Sequence, residues 1–335
     1  MKLRVGIIGL GEYWESHHLP ALQALSDRFE VRAVCDPVWH RAVRAARQMG
    51  AYPVGGFRAL TARNDVDVVF FLSAQWYGPL PIHAACEHGK AIYCAAPLDL
   101  CQDAACRLRD RVRSAGVAFM AEFRCRQAPS TLRLKELIAT RLGAPRFVFA
   151  ERREAMPDVT TAGDRQGMDQ IIERIDWCRF LVGREPSGVL GVSRSDESGE
   201  GWNYSLVHLD FPAAGDEPSV LAQIRYGRYL PAAWKEAASF RAPADFQVVC
   251  ERGVGFVDLP NRITWFDDAG QHTETLDGER SIDHGLLVAF HRAVTSLVLH
   301  ASNLEDAYRA LVIALTARDS AREGRQLPLE WGSSE

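Results

Sequence analysis

The opening segment limits what this chain can become more than any other part of it. An apolar run, Leu3–Gly9, ends on Gly9-Leu10-Gly11 and passes into a helix-like stretch reaching about Leu25. A run that is apolar at successive positions suits a strand covered on both faces, as in a parallel sheet. Glycines at its end let backbone N–H groups and a helix start face an anion. The alternation then continues. Phe29–Cys35 reads as a strand, Val38–Met49 as a helix, Val66–Leu72 as a strand and Ile82–His88 as a helix closed by Gly89. Ala91–Cys94 and Val117–Ala121 read as further strands around a helix over Asp103–Ala115. Strands alternating with helices predict right-handed βαβ units and a doubly wound parallel sheet of α/β class, a Rossmann domain over residues 1–123.

After Arg124 the rhythm changes. Thr131–Arg141 and Gln170–Leu181 read as helices, Pro145–Arg153 as a longer strand, and Val189 to Phe266 as strand-like with hairpin signals at Ala214-Gly215 and Arg252-Gly253. Val254–Leu259 and Arg262–Phe266 alternate as paired strands, and Gly285–Leu299 and Leu304–Glu323 as closing helices. The expectation is a second, α+β domain over 124–335, with an open-faced, mainly antiparallel sheet and helices on one side.

Charge and apolar content remove several functions. With a net charge of −4 nothing favours a polyanion, so nucleic acid is not expected as a partner. The longest clean apolar runs, Val5–Leu10 and Val68–Leu72, fall far short of a membrane span of roughly 20 residues. The first thirty residues lack the apolar block of a signal peptide. Eight cysteines without a CxxC pair read as reduced thiols of a cytoplasmic protein. No ligand-spaced His/Cys set is present, so no metal is expected.

The turn itself points to a dinucleotide. Gly9 and Gly11, with Glu12, Tyr13 and Trp14 after them, would cradle a pyrophosphate, and Asp36 at the end of the second strand stands where an acid holds the adenosine ribose. The third glycine of that pattern is replaced by Trp14 or Glu15, which predicts a displaced helix or an indole over the diphosphate. Asp36 favours NAD over NADP by repelling a 2′-phosphate, although Arg32 and Arg41 lie nearby.

The segments RVGIIGLG…HHLPAL, VDVVFFLS…HAACEHGKAIYCAAPLDL and EFRCRQAPSTLRLKELIATRLGAPRFV, followed by DWCRFLVG, ERGVGFVDLPNRITWFD and LEDAYRALVIALTARDSAREGRQLPL, resemble one family over nearly the whole chain. It is the glucose–fructose oxidoreductase, inositol dehydrogenase and MocA family. The resemblance implies NAD(P)-dependent oxidation or reduction of a small molecule, and a homodimer or homotetramer built through the C-terminal sheet. It also implies where the site residues lie. The family's Glu-Lys-Pro is here Ala95-Ala96-Pro97, its Thr-Pro-Asn loop is Ser73-Ala74-Gln75 with Gly78 in place of the following histidine, and the Asn after Phe123 is Arg124. Its Asp-x-x-x-His-x-x-Asp helix is Asp169, Glu173 and Asp176, so glutamate replaces histidine.

Alcohol oxidation needs a group to take the hydroxyl proton, worth roughly 10²–10⁴-fold. In the resembled family the lysine and histidine do this, and Ala96 cannot. Only four lysines exist: Lys2 is terminal, Lys90 sits in a turn, Lys135 on an outward helix face, and Lys235 alone stays open as a substrate contact. Three readings follow. In the first, hydride passes to or from an imine or conjugated bond, with Arg124 and Arg126 anchoring an oxyanion and Glu173 or Asp169 handling the proton. Alternatively Glu173 serves a non-redox lyase, isomerase or cyclase, or the chain is a silent binding subunit. A helix-face ion pair of Glu173 with Arg124 or Arg174 is the structural alternative. His208 and Arg228, with Trp202 and Tyr204, are further candidates to line the substrate, and Thr160–Gly167 to cover it. His17 and His18 read as solvent-facing, and His83 as packed.

Overall fold

The structure, a computed structural model, describes residues 1–74, 76–95, 100–156, 165–195, 203–234, 236–276, 281–296 and 303–331. In chain order β1 (Leu3–Ile8), α1 (Leu19–Ala24), β2 (Phe29–Cys35), α2 (Trp39–Met49), β3 (Tyr52–Pro53), α3 (Phe57–Thr61) and β4 (Val68–Phe71) come first. Then follow α4 (Leu80–Glu87), β5 (Ala91–Cys94), α5 (Gln102–Ala115), β6 (Phe119–Ala121), α6 (Arg124–Gln127), α7 (Pro129–Leu137) and β7 (Pro145–Ala155). After them come α8 (Arg165–Val182), β8 (Gly188–Ser195), β9 (Asn203–Phe211), β10 (Val220–Leu230), α9 (Glu236–Ser239) and β11 (Phe246–Cys250). The last are β12 (Gly253–Asp258), β13 (Arg262–Asp267), β14 (Gly270–Thr275), α10 (Ile282–Thr295), α11 (Leu304–Glu323) and β15 (Leu327–Pro328).

The chain divides into two units, Met1–Arg124 with Arg280–Tyr308, and Cys125–Glu279 with Arg309–Glu335. In the first, a sheet of order β3-β2-β1-β4-β5-β6 is parallel at every pairing. The expected doubly wound architecture is present. β4 and β5 are buried at every position, which is why they read as unbroken apolar runs. Register sets the functional edge: Cys35, Ile8, Phe71, Cys94 and Ala121 stand in one row, so Asp36, Gly9, Leu72, Ala95 and Glu122 leave the sheet side by side.

A linear boundary at 123/124 assigns residues 280–308 to the second domain, whereas they pack with the first unit. The reason is apolar: Leu286, Leu287 and Phe290 of α10 are buried in the cluster of Leu3, Val5, Phe70 and Tyr93. Phe290 meets Phe70 and Tyr93 edge-on, with centroids 5.5 and 5.4 Å away. Each such side chain contributes about 1.5–3 kcal/mol on burial.

The second unit is a nine-stranded sheet of order β14-β13-β12-β11-β7-β10-β9-β8-β15. The pairing of β10 with β7 is parallel and the others are antiparallel. One face buries Val148, Ala222, Val207 and Val248, and Ser320 of α11 accepts the Gly191 N–H at 2.9 Å. On the other face Phe147, Leu221 and Phe266 stand exposed.

Candidate cofactor and substrate sites

In the first unit the two glycines are held to the end of β4. Gly9 has φ +72°, and a Cβ there would lie 2.8 Å from the Ser73 carbonyl oxygen. A Cβ on Gly11 would lie 2.5 Å from that of Leu72. Only glycine lets the turn sit this close. Asp36, 7% exposed, braces it by accepting the Leu10 N–H at 2.8 Å and the Val38 N–H at 2.9 Å. Arg41 donates to the Leu10 carbonyl from the other side. The N–H groups of Gly11 and Glu12 have no acceptor among the described residues. They border a cavity of about 170 Å³ lined also by Trp14, Glu15, Arg41 and Arg44. Unclaimed amides, a close-packed glycine pair and flanking arginines fit a dinucleotide diphosphate.

Trp14 lines that cavity but is not exposed over the turn. The chain opens into a wide π turn over Trp14–His18 before α1, and the indole is 3% exposed inside the core cluster with Leu10, Leu22 and Ala45. The missing glycine is thus replaced by a core side chain beneath the turn. Tyr13 is exposed and tilted against His17, with ring centroids 5.2 Å apart. Ser73, Ala74 and Ala95 are half-buried on the functional edge. Gln75, Ala96, Pro97, Trp202 and Lys235 lie outside the described residues, as does most of Thr160–Gly167.

The same edge carries a polar network that sequence reasoning missed. His18 is buried, not solvent-facing, and its Nε2 is 2.9 Å from Glu122 Oε2. The Tyr93 hydroxyl donates to the same oxygen at 2.7 Å. Arg124 pairs with Asp283 and lies 3.5 Å from Glu122 Oε1, and His17 Nδ1 is 3.4 Å from Asp283. Burial alone would raise the Glu122 carboxyl, but hydrogen bonds from His18 and Tyr93 and the Arg124 charge hold it below the usual range. Asp283, far along the chain in the first turn of α10, gave no local signal. His83 is half-buried.

In the second unit α8 carries the family-matched acids. Glu173, half-buried, accepts the Cys125 N–H at 3.1 Å, and among the described residues it makes no ion pair with Arg174. Beside it, burial and the Glu173 charge push the Cys125 thiol well up. Arg126 is committed elsewhere, with Nε and Nη2 on the two oxygens of fully buried Asp176. Asp169 is half-buried one turn before Glu173. Pairing separates two other candidates. His208 stands opposite Gln223 and Arg228 opposite Asn203, so the two side chains emerge on opposite faces of the sheet. His208 is half-buried on the uncovered face with Tyr204, where burial lowers its pKa. Arg228 is buried on the α8 face near Tyr226, whose hydroxyl donates to Glu154 at 3.0 Å and whose ring meets Gly167. Of the lysines, Lys90 donates to the carbonyls of Arg63 and Val66 at 3.0 and 2.7 Å. Among the described residues no three His, Cys, Asp or Glu side chains gather as a metal site, and no helix is long and apolar enough to cross a membrane.

Residues 3–123 match the profile of a family described as an oxidoreductase family with an NAD-binding Rossmann fold. A dTDP-3,4-didehydro-2,6-dideoxy-alpha-D-glucose 3-reductase of Actinomadura kijaniata is 35% identical over 126 residues, 36% of each chain. A D-xylose 1-dehydrogenase (NADP(+)) of Haloferax volcanii is 31% identical over 46% of this chain and 47% of its own. The matched stretches therefore span between a third and a half of these relatives. An aldose-aldose oxidoreductase of Caulobacter crescentus shares the fold over 98% of this chain and 100% of its own, with TM-score 0.79 at 17% identity.

Proposed function

We propose, from the match of residues 3–123 to the NAD-binding Rossmann oxidoreductase family and from the partial likeness to sugar dehydrogenases and reductases, that the chain is an NAD(P)-dependent oxidoreductase of Gfo/Idh/MocA type that moves hydride to or from an imine or a conjugated bond of a small molecule. The cofactor supplies the hydride when bound. The observation that carries this reading is the pair of exchanges at the family's proton-handling positions, Ala96 for lysine and Glu173 for histidine, in a chain whose glycine turn keeps its form. Reduction of C=N or conjugated C=C needs no lysine to ionise an alcohol. Asp36 supports NAD as the preferred form, since its buried carboxylate stands beside the turn and repels a 2′-phosphate.

In this reading Gly11 and Glu12 offer their N–H groups to the diphosphate, and Asp36 holds the turn in that shape while facing the ribose. Glu173, fixed by the Cys125 N–H, gives or takes the proton that accompanies hydride transfer, and Asp169 stands one helical turn away as its alternate. Arg124, braced by Asp283 and Glu122, presents a positive charge to an oxyanion; Arg126 holds Asp176 in place. Glu173→Gln keeps the shape and removes the proton. It should lower turnover by about 10²-fold or more while leaving the dinucleotide Kd unchanged. Stopped-flow absorbance of the nicotinamide during single turnover reads the first quantity and fluorescence titration the second. An unaltered rate would take Glu173 out of the mechanism.

A further inference from the structure

Helix α8 buries two arginines and treats them differently. Arg179, 4% exposed, is held by Glu185 through Nε and Nη2 and lies 3.6 Å from Asp176. Arg174, 3% exposed, has no carboxylate in salt-bridge reach among the described residues. Its hydrogen bonds are from Nη1 to the Gln170 carbonyl at 3.0 Å and to Gln170 Oε1 at 2.8 Å, and its Nε is buried without any acceptor. The Nε donor of this guanidinium fork is thereby left unused. Its charge reaches Tyr226, Cys125 and Cys178, all of which are neutral groups at ordinary pH. Nearby acids are already engaged: Glu173 by the Cys125 N–H, and Glu154 by Tyr226 and Arg152. Among the described residues, no carboxylate supplies the counter-charge of this desolvated cation.

We propose that Arg174 is the recognition residue for an anionic group, a carboxylate or a phosphate, on the small molecule taken up by the second unit. The proposal rests on the oxidoreductase reading only for the assignment of that unit to the substrate. An oxyanion would satisfy the unused Nε and the charge together, as a fork of N–H donors does for carboxylates and phosphates. Arg228, buried beside the Tyr226 ring on the same face, places a second positive charge nearby. A neutral sugar offers no counter-charge, so the ligand class narrows to acids and phosphorylated compounds.

The test is calorimetric titration of the full chain with sodium malonate and with inorganic phosphate at ionic strength matched by chloride, supported by melting curves in the same solutions. Wild type should bind at least one of the two anions and melt higher in it than in chloride, and which anion does so separates carboxylate from phosphate. Arg174→Met, which keeps the apolar stem, should bind that anion at least about tenfold more weakly and lose the melting shift, as removal of a charge-assisted hydrogen bond implies. Dinucleotide titration of the same samples separates the two claims: anion binding without dinucleotide binding in wild type would sink the oxidoreductase reading and support this one. Indifference of wild type to both anions would overturn the proposal without any variant. So would an undiminished affinity in Arg174→Met.

Discussion

A carboxylate as enclosed as Glu122, 7% exposed at its side chain, stays ionised because His18, Tyr93 and Arg124 surround it with donors and charge. Its folded pKa lies below the unfolded value, so the stability it contributes is present above about pH 4.5 and is lost as the pH falls through the folded value. Glu122→Gln should therefore destabilise by about 3 kcal/mol at neutral pH, with the gap to wild type closing below about pH 4. Urea melts across pH 3–8 check this, and a gap independent of pH would assign the loss to packing instead. Little of this wiring was legible in the sequence. Asp36 could be placed because strand, turn and acid follow one another closely along the chain. His18 meets Glu122, and Arg124 meets Asp283, across more than a hundred residues of chain, and no local pattern announces which buried polar groups will meet. Arg126 likewise looked available until its carboxylate partner on α8 was in place.

Elements were easier to foresee than their junctions. Runs such as Val68–Phe71 and Ala91–Cys94 declare themselves because both faces are covered, and the hairpin at Arg252-Gly253 because alternation resumes on either side. The wide turn over Trp14–His18 was not foreseen, since a helix-start pattern does not distinguish a π turn from an α turn. That turn takes the indole into the core where the family pattern has glycine. Trp14→Gly, which restores the motif on paper, should cost about 3–5 kcal/mol by emptying the core beneath the turn. Thermal unfolding measures it, and a variant as stable as wild type would show that the indole is not part of that core.

At the scale of the whole molecule, one face of the nine-stranded sheet carries a row of exposed apolar side chains among the described residues. Phe147 pairs with Leu221 and, through Val249 and Val254, shares its face with Phe266, and Phe147, Leu221 and Phe266 are all exposed. An apolar surface of this kind marks an interaction site, and we propose that a second copy of the chain covers it. Phe147→Asp with Leu221→Asp should run as a monomer in light scattering after gel filtration while wild type runs as a dimer or tetramer; a monomeric wild type would contradict the assignment. Fold class and sheet character at this scale were open to inspection in the sequence, because periodicity is a local property. The return of Arg280–Tyr308 to the first unit was not, because an amphipathic helix does not state which core it will join.

The central proposal is a working dinucleotide cradle in a chain that carries Ala96 where the resembled family has lysine. Titration of nicotinamide fluorescence with purified protein tests it most directly. The account predicts saturable enhancement for NADH, weaker for NADPH, that disappears when Gly11→Val drives a side chain toward the Leu72 carbonyl. Absence of any saturable signal from either nucleotide up to millimolar concentration would contradict it.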